Sequence, residues 1–154
     1  MQREERERRV SLCMQRMRSI RTCDLLCDTT PAETHLLLAI VEHESETRKI
    51  SELAALVGMQ PAAVSRLMNS LEEKGLIERR SRAGNRRVTD VYPTLRGLEI
   101  NGQNQKAFHD FWAEVFENIS AEDTERLIEI WDEVLDSMER VLERRAENQK
   151  EICP

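Results

Sequence analysis

The stretch KISELAALVGMQPAAVSRLMNSLEEKGLIERR, residues 49–80, constrains the fold more than any other part of the chain. Leu53, Ala54 and Val57 recur at helical spacing, which predicts a short helix over about 51–57, ended by Gly58 as a left-handed residue. Gln60 then takes an N-cap position and Pro61 the first helical position, where a missing N–H is no loss. The next helix, about 61–74, turns Val64, Leu67, Met68 and Leu71 inward and leaves Ala62, Ala63, Ser65, Arg66 and Asn69 on the other face. Ala54 is small where two steeply crossed helices must come close. Two short helices joined by a brief glycine-containing turn make a helix-turn-helix. Gly75 stops the second helix, and 76–79 and 88–93 read as strands around an Ala83-Gly84-Asn85 turn. A hairpin at that point makes the winged variant.

That hairpin contains RRSRAGNRR, residues 79–87, with five arginines in nine positions of a chain whose net charge is −6. The charge is unevenly distributed: +4 over residues 1–22, −5 over 23–60, +4 over 61–97 and −9 over 98–154. Such a division suits a protein that meets nucleic acid through its basic part only. A solvated face is the ordinary alternative, and it stays open for any single one of these arginines; their placement at a hairpin tip and its flanks favours contact with nucleic acid. There, long cationic side chains reach phosphates or a minor groove.

The remaining segments are helical. Val10, Cys13, Met14, Met17 and Ile20 predict a helix over 4–22 with one buried face. Thr30 and Glu33 form a capping box, with Pro31 at the first position of a helix over about 31–44, and ESETRK follows as a polar connection. Thr94 caps a long helix to about Asn118, polar all round at NGQNQ (101–105) and apolar on one side at AFHDFWAEVF. Ser120, with Asp123 three on, starts the last helix. Its Leu127, Trp131, Val134, Leu135, Met138, Val141 and Leu142 make an apolar stripe on an acidic rod, and the tail beyond about Arg145 is expected to fray. A monomer of this size has little core left to cover that stripe, so a second subunit is expected to do so. The fold class is mostly α: an N-terminal dimerisation helix and connection (1–30), a winged helix-turn-helix with a small β-hairpin wing (31–97), and C-terminal dimerisation helices (98–154).

Several functions are disfavoured. No apolar run approaches the roughly 18–20 residues that cross a bilayer, and MQREERERRV is not a secretory signal, so a cytoplasmic protein without membrane contact is expected. Its four cysteines, Cys13, Cys23, Cys27 and Cys153, then read as reduced thiols. The sequence has no phosphate-cradling Gly loop, GxSxG or HExxH, so it is not read as an enzyme.

Taken in order, TPAETHLLLAI, ISELAALVGMQPAAVSRLMNSLEEKGLIERR and NRRVTDVYPTLRG resemble the MarR family of winged-helix bacterial transcription regulators, over about residues 8–142. The last segment matches the family's acidic-Arg-Arg wing and its Leu-Thr-x-x-Gly helix start. Asn85 stands in the acidic position, Ser81 where another Asp is common, and Pro93 in place of Leu, so the wing lacks a charge-assisted bond. The resemblance implies a homodimer joined through its N- and C-terminal helices, a near-palindromic operator in double-stranded DNA, and an effector cleft between the DNA-binding lobe and the dimer helices.

Within that frame, Gln60, Pro61, Ala62, Ala63, Ser65, Arg66 and Asn69 form the expected major-groove face. Arg66 suits bidentate guanine readout, Asn69 adenine or phosphate, and the alanines thymine methyls; a surface pair one turn away is the alternative for Arg66. Arg87 matches the family's groove-entering wing arginine, with Arg82 and Arg86 on phosphates. Met17, Arg21, His35, Phe108 and Trp112 are the expected pocket for a small aromatic or amphipathic ligand, though plain core packing would explain them equally. His35 matches a ligand position of the family's zinc-responsive branch, with Cys23, Cys27 and Glu33 as further donors and His109 one position off register. A buried histidine with one hydrogen bond is the commoner outcome, and neither a metal nor another cofactor is expected. Cys13 matches the peroxide-sensing branch, but that branch relies on tyrosine partners and Tyr92 is the only tyrosine here, which favours a packed thiol. A winged helix serving only protein contacts would show apolar anchors on 61–74, where this chain carries arginine and small polar residues.

Overall fold

The computed structural model describes residues 3–43, 50–82 and 85–152, without the side chains of 81, 82, 85–89 and 149–152. Its elements are α1 (Arg3–Ser19), a 3-10 turn (Thr22–Leu25), α2 (Pro31–Glu42), α3 (Ile50–Leu56), α4 (Pro61–Glu73), β1 (Ile77–Arg82), β2 (Asn85–Pro93), α5 (Leu95–Phe116) and α6 (Ala121–Ile152). The expected connection at 44–49 and the tip at 83–84 lie outside the described residues. Two compact units, Met1–Phe108 and His109–Pro154, divide the chain within α5.

The core of the first unit is built where the periodicity expects it. Leu36, Leu37 and Ile40 of α2 meet Leu53 and Ala54 of α3, Val64, Met68 and Leu71 of α4, and Leu76, Ile77 and Val91 of the hairpin. Each large aliphatic side chain withdrawn from water is worth about 1.5–3 kcal/mol. Glycine ends both short helices by the same device. Gly58 and Gly75 sit at φ +64° and +68°, and the next amides reach back, Met59 N to Ala54 O at 2.9 Å and Leu76 N to Leu71 O at 2.9 Å.

A second glycine device joins α4 to α5. Thr94 caps α5 by accepting from Gly97 N at 3.0 Å, while its hydroxyl donates to Gly75 O at 2.7 Å and its amide to Leu76 O at 3.0 Å. The backbone at Gly97 runs so close to Leu76 that a Cβ there would lie 1.9 Å from the Leu76 carbonyl oxygen.

The capping box at the head of α2 does more than start a helix. Thr30 Oγ1 accepts from Glu33 N, and Glu33 Oε2 accepts from Thr30 N at 2.7 Å. The same carboxylate, 3% exposed, also accepts from Ser70 Oγ at 2.6 Å and Lys74 Nζ at 2.9 Å on the far side of the core. Lys74 donates again to Asp28 O at 3.0 Å, and Asp28 Oδ2 pairs with Arg96 at 2.7 Å. Burial alone would raise the pKa of Glu33, but the bonds from Ser70, Lys74 and Thr30 outweigh it and lower the value to about 2.

Several expectations need correction. α1 ends at Ser19, before the expected 22, because Ser19 Oγ donates to Arg16 O at 2.7 Å and the chain tightens into a 3-10 turn. Its expected inward face is not covered: Val10, Met17 and Ile20 are 58, 51 and 58% exposed. The strands are longer than expected because the ladder continues from Ile77↔Pro93 out to Ser81↔Thr89. NGQNQ is not polar all round in effect, since Asn101 and Asn104 are both buried. Residues 98–108 of α5 lie in the first unit, where Asn104 accepts from Cys27 N at 2.8 Å and donates to Thr29 Oγ1 at 2.9 Å.

In the second unit, Ser120 Oγ accepts from Asp123 N at 3.1 Å and starts α6, which runs helical to Ile152 where fraying was expected beyond 145. At 32 residues it is about 48 Å long. Leu127, Trp131, Leu135, Met138 and Leu142 of its stripe are all exposed in the single chain.

Two predictions follow from these contacts. Gly97→Ala should destabilise the protein by at least about 2–3 kcal/mol in urea unfolding, since backbone and not a yielding side chain meets the added methyl. Glu33, with a folded pKa near 2 against 4.5 unfolded, contributes stability that is complete above pH 4.5 and lost as pH falls towards 2, about 3 kcal/mol in all. Urea midpoints between those pH values should therefore drop steeply, and Glu33→Gln should flatten the drop.

Candidate nucleic-acid interface

α4 divides cleanly between core and solvent. Val64, Met68 and Leu71 are buried, while Pro61, Ala62, Arg66 and Asn69 are exposed and Ala63 and Ser65 half-buried. Gln60 occupies the N-cap at φ −68°, ψ 141°; its exposed side chain makes no capping bond, while its carbonyl accepts from Ala63 N at 2.9 Å and Val64 N at 3.1 Å. Arg66 points outward and forms no ion pair or hydrogen bond with any described residue, so the surface pair considered for it is not formed.

The five hairpin arginines fall into two sets. Arg79 turns back onto α4, donating to Asn69 Oδ1 at 2.6 Å and lying 3.5 Å from Glu72 Oε2. The Nε contact with Glu72 is a charge approach without hydrogen-bond geometry. Arg80 pairs with Glu78 and lies over the Tyr92 ring, 5.0 Å from its centroid. These two arginines brace the base of the hairpin. Asn69, expected to meet DNA freely, is held by Arg79 and reaches a partner only by giving up or sharing that bond.

Arg82, Arg86 and Arg87 stand at the outer end, and their side chains lie outside the described residues. Backbone register still distinguishes that end. After Ser81↔Thr89 the pairing slips to Arg82↔Asn85, so 86–88 have no counterpart on β1. Such an irregularity bends and twists the ribbon, and here it falls on Arg86 and Arg87.

A second concavity lies in the first unit between α2 and α5, an open cleft of about 550 Å³. α2 supplies Thr34, His35, Leu38 and Glu42, and α5 supplies Asn101 and Phe108. Of the expected ligand set, His35 and Phe108 line it. Met17 and Arg21 do not, Arg21 being paired with Asp24 at 3.2 Å. Trp112 belongs to the second unit, stacked on Phe116 and edge-on to Phe111.

The sensor residues are placed differently from the ordinary expectations. His35 is exposed rather than buried, and Cys13 is an exposed thiol rather than a packed one, as are Cys23 and Cys27. His109 is exposed, with Asp110 at 3.7 Å. Glu33, weighed as a zinc donor, is committed to Thr30, Ser70 and Lys74. Among the described residues, no three His, Cys, Asp or Glu side chains converge as a metal would require. No described helix is long and apolar enough to cross a membrane.

Comparison with known proteins points the same way as the geometry. A model of the MarR family matches residues 28–88. The chain is 34% identical over 94 residues to an uncharacterised HTH-type transcriptional regulator, YdgJ of Bacillus subtilis, covering 61% of this chain and 57% of that protein. The chain thus spans a little over half the length of that relative. A crystal structure of a MarR family transcription regulator superposes with a TM-score of 0.76 at 17% identity, over 91% of this chain and 94% of the other. A mutant of S. aureus MepR bound to an oligodeoxyribonucleotide superposes with a TM-score of 0.58 at 21% identity, over 90% and 99%. At those identities the structures speak for the winged-helix fold.

Proposed function

We propose that the chain, whose residues 28–88 match the MarR family model, is a DNA-binding transcription regulator of that family, acting as a homodimer on a near-palindromic operator. One observation carries this reading: α4 buries its apolar face and presents the guanidinium of Arg66, unpaired among the described residues, beside small residues and next to an arginine-bearing hairpin. In a major groove, Arg66 would read guanine, and Ala62 and Ala63 would pack on thymine methyls. Arg82, Arg86 and Arg87 would supply phosphate or minor-groove contacts from the wing. Pairing of two copies is supported by the exposed apolar stripes of α1 and α6, which a partner subunit would withdraw from water.

Effector control is read from the cleft. Its wall includes Thr34, next in sequence to Glu33, whose carboxylate bonds Ser70 and Lys74 at the end of α4. A molecule that moves α2 therefore acts on the recognition helix through a direct polar tie.

The test is duplex binding measured across salt, with the target recovered by selection from random sequence. Affinity should fall steeply with salt, as counterion release demands. Arg66→Ala should cost about 1–3 kcal/mol on the selected site and relax discrimination there, whereas Arg87→Ala should weaken binding to all duplexes. The solution mass should be twice the 18.0 kDa chain mass. Absence of duplex binding at about 50 mM salt would sink the reading and favour a protein-interaction module.

A further inference from the structure

α5 carries two buried asparagines one turn apart, and they are treated differently. Asn104, fully buried, has both ends of its carboxamide in use, between Cys27 N and Thr29 Oγ1. Asn101, 5% exposed, lines the cleft, and its buried Oδ1 bonds with no described residue. A carbonyl oxygen left in that condition costs about 1–3 kcal/mol, so a buried orphan beside a cavity calls for a donor from outside the chain. The terminal torsion of asparagine is broad and roughly two-fold, so rotation brings either end of the carboxamide to a ligand in the cleft.

The rest of the wall narrows the chemistry. Leu38 and Phe108 offer an apolar surface suited to a ring. Glu42 stands at the exposed side of the cleft, and among the described residues no lysine or arginine lines it, His35 being the one basic group of that described wall. An anion entering would lose hydration beside a carboxylate and gain no fixed positive charge. We infer that this cleft takes a small, mostly apolar, neutral or cationic molecule that donates a hydrogen bond to Asn101, and that Glu42 selects against carboxylates. The inference rests on the cleft being the effector site of the proposed regulator, and it names the chemical class of that effector.

Three indoles of nearly equal shape test it by calorimetry on the full chain at about pH 8: tryptamine, tryptophol and indole-3-acetate. Tryptamine and tryptophol should each bind at least about tenfold more tightly than indole-3-acetate. Asn101→Leu, which keeps the branched heavy-atom shape and removes the orphan, should leave the unfolding midpoint unchanged or raised while weakening both by about tenfold. Glu42→Gln, on the exposed side, should bring tryptamine down to the affinity of tryptophol. Indole-3-acetate as the tightest ligand, indifference of all affinities to Asn101→Leu, or no binding of any of the three at millimolar concentration would each overturn the inference. Duplex binding in the presence of each indole separates the two claims. Tryptamine that binds without altering duplex affinity supports the ligand class and removes the effector role. Release by indole-3-acetate alone keeps the effector role and overturns the ligand class.

Discussion

The carboxylate of Glu33 is where the winged helix is tied together. It closes the capping box of α2, accepts from Ser70 and Lys74 near the end of α4, and through Lys74 reaches the Asp28 backbone, whose side chain in turn holds Arg96 on α5. Three helices and the segment before α2 therefore meet around one buried negative charge. A buried carboxylate is tolerated only when such bonds replace its water, and removing one partner leaves a desolvated charge behind. The joint links the cleft wall on α2 to α4 through one group.

The hairpin shows a similar economy. Five arginines in nine residues would repel one another, yet two are neutralised locally: Arg79 against Asn69 and Glu72, Arg80 against Glu78 and Tyr92. Both lie at the base, where β1 leaves the core at Ile77. Arg80 braces the two strands against each other and Arg79 anchors the ribbon to α4, so the hairpin and α4 are coupled through Arg79 and Asn69. The register slip after Ser81↔Thr89 then sets Arg86 and Arg87 on a stretch with no opposing strand residues.

How much of this was legible depended on distance along the chain. The capping box at Thr30 and Glu33, the left-handed Gly58 and Gly75, the Thr94 cap and the apolar face of α4 all came from residues within one or two turns of each other, and local geometry decides such features. The exposed face of α4 followed by subtraction. The partners of Arg79 and Asn104 and the orphaned oxygen of Asn101 did not follow, because a polar side chain gives no local sign of what it meets across 10 or 75 residues. Gly97 carried a partial sign in the Thr-x-x-Gly spacing. Its reason, a backbone contact with Leu76, belongs to the packed state.

The amino-acid order by itself determined the kind of elements, their punctuation and the face each turns inward, because periodicity, caps and glycine φ angles act within a few residues. It also placed the positive charge on the hairpin. Only the tertiary structure decided which polar groups are spent on holding the fold and which stay available, Glu33 and Asn104 against Arg66 and Asn101. That sorting depends on desolvation and hydrogen-bond geometry between segments far apart in the chain, and those exist only once the chain has closed on itself.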